Sequence, residues 1–311
     1  MAEPTRPSAG MHQLDVMASI DAETRRTMLR YMLVARAIDD EASLLQNQGA
    51  LDLWLPCRGQ EAAQVGSATA IGDEAVIFPS YREHAVAVQR GIDGVSLVAQ
   101  WAGRTFCGWD PHRHRFFPYT LVLATQALHG VGYAIGRRLQ NMPETVVIYI
   151  GDGATSEGDM SEAMNLAAVE SAAVLFICQN NGWAISKPSR EQMATSIADR
   201  ANGFGLRSWS IAADDPDDTY LACLTARRYV EAEQAPALIE LRATRVRGHT
   251  TSDPHRTYRD PNELAVAETN DPVAAYREKL YAAGVVDDQW LATVEAQAGA
   301  ARRALLEAFA T

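Results

Sequence analysis

Two apolar, β-branched runs and the gap between them constrain this chain most. Val146-Val147-Ile148-Tyr149-Ile150 and Ala173-Val174-Leu175-Phe176-Ile177-Cys178 have no polar alternation, so they read as strands covered on both faces. The first runs into Gly151-Asp152-Gly153 and the second into Asn180-Asn181-Gly182, with the 26 residues 154–179 between the two motifs. That length holds one helix and one strand. Met160, Ala163, Met164, Ala167 and Ala168 fall on one face of a helix predicted over Asp159–Glu170. A strand–helix–strand crossover in one sheet is right-handed and makes the strands parallel. An α/β fold with a mostly parallel sheet flanked by helices follows.

The remaining signals agree. Asp21 to about Gln48 reads as a helix capped by Asp21 and stopped by Gly49, with Met28, Met32, Ala35 and Ile38 on its apolar face. Ala75–Phe78 reads as a strand after the Gly72-Asp73 turn, and Leu238–Leu241 as another. Residues Trp101–Tyr119 show no period and read as a loop. Thr125–Leu139 reads as a helix carrying Gly130, Gly132 and Gly136. Each glycine costs roughly 1 kcal/mol there relative to alanine, so the helix is expected to meet a close neighbour, either an internal element or another subunit. From Asp271 the pattern is again helical. Residues 1–19 are expected to form a disordered arm before one domain over 20–311.

Charge and cysteine usage narrow the function. Lys and Arg total 28 against 39 for Asp and Glu, a formal net charge of −11. This argues against a nucleic-acid binder and against docking on an anionic membrane through basic patches. No stretch of about 18 apolar residues is present to span a bilayer. Cys57, Cys107, Cys178 and Cys223 form no Cys-x-x-Cys pair, which disfavours a zinc site and fits a reduced cytoplasm.

The two strand-end motifs carry the chemistry. If their strands are neighbours, Asp152 and Asn181 meet at the carboxyl edge of the sheet, where open α/β folds bind ligands. A carboxylate and an amide oxygen are hard donors suited to Mg²⁺ shared with phosphate. Gly151 and Gly153 allow close backbone approach, and the following helix presents free N–H groups. A nicotinamide site fits poorly: Ser156 stands where Gly-x-Gly-x-x-Gly needs its last glycine.

Gly-Asp-Gly followed by Asn-Asn at this spacing is similar to the thiamine diphosphate signature. Gly151–Asp159 and Asn180–Ser186 resemble the alpha subunit of the decarboxylating component of 2-oxo acid dehydrogenase complexes. Further matches are Gly59-Gln60-Glu61, Tyr81-Arg82-Glu83, Leu123-Ala124-Thr125-Gln126, Gly248-His249-Thr250-Thr251-Ser252-Asp253 and Tyr258-Arg259.

The resemblance implies a thiamine diphosphate-binding fold. It implies Asp152, Asn181 and the Trp183 carbonyl as Mg²⁺ ligands, and Tyr81 and Arg82 as diphosphate contacts. Gly151, Gly153, Ala154 and Glu157 would line the same turn, and Leu123 would prop the cofactor. His249 would be the catalytic loop residue, also touching the cofactor, on a loop ordered by Arg245, Asp253, Tyr258 and Arg259. Thr125 and Gln126 hold a monovalent cation in some relatives. The implied activity is oxidative decarboxylation of a 2-oxo acid, branched-chain in preference to pyruvate, with acyl transfer to the lipoyl group of an acyltransferase. A beta subunit would complete the site in a complex of two alphas and two betas. An acetoin dehydrogenase alpha subunit and a non-catalytic assembly subunit are the alternatives. Cys57-Arg58, Leu121-Val122 and Gln179 depart from the family pattern. They leave substrate size and part of the phosphate contact set open.

Overall fold

The computed structural model describes residues 19–309 other than Pro143; the arm expected over residues 1–19 lies, apart from Ser19, outside them. Seven strands are present among the described residues: β1 (Val76–Phe78), β2 (Val146–Gly151), β3 (Val174–Asn180), β4 (Trp183–Ala184), β5 (Lys187–Pro188), β6 (Arg207–Ala212) and β7 (Ala237–Arg242). Five of them make a sheet in the order β1-β2-β3-β7-β6, with every neighbouring pair parallel. β4 and β5 form a small antiparallel hairpin. The parallel α/β architecture expected from the two apolar runs is therefore present.

The helices are α1 (Ala22–Asn47), α2 (Glu61–Ile71), α3 (His84–Gln89), α4 (Gly94–Ala99), α5 (Pro111–His114), α6 (Thr125–Leu139), α7 (Gly158–Val169), α8 (Ile197–Gly203), α9 (Pro216–Glu233), α10 (Pro261–Thr269), α11 (Pro272–Ala282) and α12 (Asp288–Phe309). Strand residues alternate between faces. Val147, Tyr149, Leu175, Ile177 and Ile239 pack with α2 and α9 through Ala63, Ile71, Ala222, Ala226 and Val230. Val146, Ile148, Ile150, Val174 and Phe176 pack with α6, α7 and α8 through Ala127, Val131, Met160, Met164 and Ile197. A third cluster joins α1 to α11 through Met28, Met32, Tyr276 and Leu280.

Local signals behave as their chemistry requires. Asp21 caps α1 by accepting from the Thr24 N–H at 2.7 Å, satisfying a helix-end donor. Two expectations change. The Trp101–Tyr119 loop contains the short helix α5, begun by Asp110 and Pro111, and Phe116 bridges to Ile77 beside β1. Gly151-Asp152-Gly153 leads first into a 3₁₀ turn, Asp152–Ser156, and α7 begins only at Gly158. Of the three glycines in α6, Gly130 faces the interior, where a Cβ would meet Ile148 side-chain atoms at 2.6 Å; Gly132 and Gly136 have no neighbour within 4 Å.

Candidate active site at the carboxyl edge of the sheet

β2 and β3 pair in register, with Gly151 opposite Gln179. The loops after them therefore leave the same edge, as do those after β1 and β7. Between these loops lies a cavity of about 350 Å³. Its wall takes Tyr81 and Arg82 from the segment after β1, and Gly151, Asp152, Gly153 and Ala154 from the end of β2. Asn181, Trp183, Ala184 and Ile185 come from the segment after β3, and Arg245, His249 and Thr250 from the segment after β7. Leu123 and Leu121 approach from the segment before α6, and Leu53 and Leu55 from the segment after α1.

Asp152 is 1% exposed. Burial raises its carboxyl above the ordinary range, opposed by the Ser189 hydroxyl, which donates to Oδ2 at 2.5 Å. Asn181 is fixed at both ends of its amide: Nδ2 donates to Gln60 Oε1 at 3.3 Å, and Oδ1 accepts from the Trp183 N–H at 3.2 Å. The 3₁₀ turn places Gly153 where a Cβ would lie 2.8 Å from the Ala184 Cβ. A side chain at 153 would therefore push away the hairpin that carries Trp183.

That hairpin turns through Ile185 at φ +54°, a left-handed conformation that a β-branched residue rarely adopts. The Arg245 guanidinium holds it by donating to the Ile185 carbonyl at 3.1 Å. Ala124, next to Leu123, is also left-handed at φ +65°. Such strain persists where the surroundings over-determine it, as they do at ligand sites.

His249 sits between two guanidinium groups. Arg82 Nη2 and Arg245 Nη1 each lie 3.3 Å from its Nδ1. Both partners can only donate, so Nδ1 accepts and the ring proton resides on Nε2. Burial, together with the positive charges of Arg82 and Arg245, lowers its pKa to about 3. The loop is tied down from below: Asp253 Oδ2 accepts from the His249 N–H at 2.6 Å and from the Tyr258 hydroxyl at 2.5 Å. Arg259 donates to the Arg245 carbonyl at 2.6 Å. Arg245, Asp253, Tyr258 and Arg259 are thus all hydrogen-bonded around this loop.

One placement differs from expectation. Glu157 does not line the cavity; it is exposed and precedes the first turn of α7, because the intervening 3₁₀ turn rotates it outward. Arg82 is buried and its guanidinium is largely committed: Nη1 donates to the Pro56 carbonyl at 2.6 Å and Nη2 to the His249 carbonyl at 3.0 Å. It lines the cavity and brings its charge there. Thr125 does not line the cavity, and Gln126 donates to the Tyr149 carbonyl at 2.9 Å, leaving its Oε1 buried without a partner.

Several wall residues carry polar atoms without a partner. Gln60 is buried and its Nε2 has no partner; the Arg245 Nε and the Gln179 Oε1 are likewise unpartnered. Buried polar atoms are normally satisfied, so these mark places a ligand would complete. Glu83 and Ser189 escaped assignment. Ser189 is 37 positions from Asp152 and no local pattern links them.

The donor set fits a hydrated divalent cation. Asp152, the Asn181 amide oxygen and the Trp183 carbonyl are all hard oxygens. Among the described residues no three His, Cys, Asp or Glu side chains gather as an alternative metal cluster. Unpartnered donors on Gln60 and Arg245 and the charge of Arg82 suit an anionic group beside that cation, and Leu53, Leu55, Leu121 and Leu123 give the cavity an apolar wall.

Comparison with known proteins agrees with this geometry. The chain is similar to the 3-methyl-2-oxobutanoate dehydrogenase subunit alpha of Mycobacterium tuberculosis. It is 38% identical over 287 residues, covering 92% of this chain and 78% of the relative. It is 32% identical over 274 residues to the 2-oxoisovalerate dehydrogenase subunit alpha of Bacillus subtilis, covering 84% and 83%. The mitochondrial 2-oxoisovalerate dehydrogenase subunit alpha of Bos taurus is 33% identical over 275 residues, covering 85% of this chain and 60% of the relative. The dehydrogenase E1 component family matches residues 29–309, nearly the whole described chain, and the protein belongs to that family.

Proposed function

We propose that this chain is the alpha subunit of a thiamine diphosphate-dependent 2-oxo acid dehydrogenase acting on branched-chain 2-oxo acids. The carrying observation is the convergence of Asp152, Asn181, Trp183, Tyr81, Arg82 and His249 on one cavity at the sheet's carboxyl edge. The relatives' names and the family's general dependence on thiamine diphosphate support the reading. The aliphatic wall favours a branched substrate side chain over the smaller pyruvate.

In this reading Asp152, the Asn181 Oδ1 and the Trp183 carbonyl hold Mg²⁺, and Ser189 and Gln60 keep the first two in place. The Gly153 and Ala154 turn, Tyr81 and the charge of Arg82 hold the diphosphate, while Leu123 supports the cofactor. When bound, thiamine diphosphate supplies the carbanion equivalent and electron sink that decarboxylation needs. His249, neutral with its proton on Nε2, donates a hydrogen bond to an anionic substrate or cofactor oxygen; Arg82 and Arg245 keep it from protonating. The apolar wall excludes water from the reacting centre. A beta subunit provides the remainder of the site, and a lipoyl-bearing acyltransferase receives the acyl group. No helix among the described residues is long and apolar enough to cross a membrane, and four free cysteines suit a reducing cytoplasm.

The test is calorimetry on the chain assembled with its beta subunit. Asp152→Ala is expected to abolish Mg²⁺-dependent binding of thiamine diphosphate; unchanged affinity refutes the site. Turnover should be faster on 3-methyl-2-oxobutanoate than on pyruvate. Robust turnover by the chain alone would contradict the shared site.

A further inference from the structure

Glu83 and Gln179 stand apart from the assigned machinery, yet both line the cavity. They are 2% and 3% exposed. Gln179 Nε2 donates to Glu83 Oε1 at 2.7 Å, and the Gln179 Oε1 is left buried with no partner. The other Glu83 oxygen accepts from the Arg82 N–H at 3.3 Å. Facing Glu83 are Arg82 from its own segment, Gln179 from β3, Tyr149 from β2 and Tyr119 from the segment before α6. Only Arg82 among these is charged at neutral pH, and its Nη atoms are bonded to Pro56 and His249. Glu83 is thus a buried carboxyl whose one side-chain partner is a neutral amide.

The carboxylate and the unpartnered amide oxygen are mismatched to an anion. A diphosphate would be repelled by the Glu83 carboxylate and would meet the acceptor end of the Gln179 amide. The two ends of that amide are nearly isosteric, so exchanging them leaves the packing intact.

We propose that Glu83 and Gln179 form a proton-coupled pair that adapts the wall to an anionic ligand. When the diphosphate enters, one proton passes from solvent to Glu83 Oε1. The new O–H donates to Gln179 Oε1, and Gln179 Nε2 turns to the ligand as a donor. No other bond changes, and the bound proton removes one negative charge from the wall. Burial already lifts the Glu83 carboxyl to about 7, so a modest added negative potential completes protonation near neutrality.

The inference rests on the diphosphate reading of the cavity and is tested separately from it. The complex of this chain with its beta subunit, stripped of cofactor, is titrated with thiamine diphosphate and Mg²⁺ in buffers of different ionisation enthalpy. Wild type is expected to take up more protons per site than Glu83→Gln, by up to about 0.5 at pH 7, where the free carboxyl is half protonated. Because Glu83→Gln removes a buried group, Gln179→Arg provides an independent arm. Its guanidinium holds Glu83 ionised, so the extra uptake disappears in the cofactor-bound variant. Equal proton numbers in all three proteins overturn the proposal and leave the cofactor site standing. Failure of wild type to bind thiamine diphosphate at all overturns both.

Discussion

Replacing Gly59 by alanine tests how the cavity wall is assembled. Gly59 adopts φ +93°, and a Cβ placed there would lie 2.1 Å from the Thr244 carbonyl oxygen and 2.8 Å from the Val246 Cγ2. Neither neighbour is a flexible side-chain end: Val246 donates its N–H to the Arg58 carbonyl at 3.1 Å, and Arg245 between them is fully buried. Relieving the contact requires the segment after β7 to retreat by about 1 Å, carrying Arg245 and the base of the His249 loop. The left-handed backbone costs an alanine about 1–2 kcal/mol, and overpacking a rigid site adds about 1–3 kcal/mol. The sum, about 2–5 kcal/mol, corresponds to a fall in melting temperature of roughly 3–8 °C for a chain of this size. Gly49→Ala is the internal reference, since Gly49 has φ +81° with nothing within 4 Å of the added Cβ. It carries the backbone term alone. Thermal unfolding by circular dichroism at one protein concentration and scan rate compares the variants. Equal losses in Gly59→Ala and Gly49→Ala would refute the contact and the rigidity argued for the Thr244–Val246 segment.

Other outcomes follow from the same geometry. His84 is fully buried, accepts from the Tyr119 hydroxyl at Nδ1 (3.0 Å), donates from Nε2 to the Leu55 carbonyl (3.0 Å), and is lowered by burial to about 3. Its unfolded value is near 6.5, so the stability it confers is complete above that pH and is lost as pH falls from 6.5 towards 3. Wild type should lose about 2 kcal/mol more than His84→Gln between pH 7.5 and pH 5; equal losses by urea denaturation would mean that His84 is not held neutral. Gly130→Ala should destabilise by about 1–3 kcal/mol through its 2.6 Å approach to Ile148. Gly132→Ala, with open space around it, should stabilise the isolated chain by about 0.5–1 kcal/mol. If a partner subunit covers that face of α6, Gly132→Ala should also weaken assembly in sedimentation velocity. A less stable Gly132→Ala chain would show that the helix surface is not open.

The central crossover was legible in the sequence because strands covered on both faces need continuous apolar runs, and β2 and β3 supply them. β6 escaped because it lies at the sheet edge and alternates Arg207, Ser208, Trp209 and Ser210. α2 escaped for the opposite reason: ten of its residues are buried, so it has no polar face and no period. The Asp152–Asn181 pairing followed from crossover length alone. The Ser189 contact, the His249 tautomer and the commitment of Arg82 to two carbonyls depend on loop paths that no local pattern encodes. Glu157 was misplaced because a single 3₁₀ turn between strand and helix changes which residues face the ligand.

Trp183 joins two parts of the molecule that will move or stiffen together. Its backbone belongs to the cavity wall, while its ring lies 5.7 Å from Tyr258 and 5.6 Å from the Arg259 guanidinium, and its Nε1 donates to Glu263 at 3.0 Å. Trp54, Trp101, Trp109 and Trp209 are buried in the interior, and the partly buried Trp290 packs on the α1–α11 cluster, outside the cavity wall. The protein therefore carries its own optical probe: a half-buried indole beside a cation and a carboxylate, whose fluorescence reports ligand arrival and loop ordering in one signal, without a label.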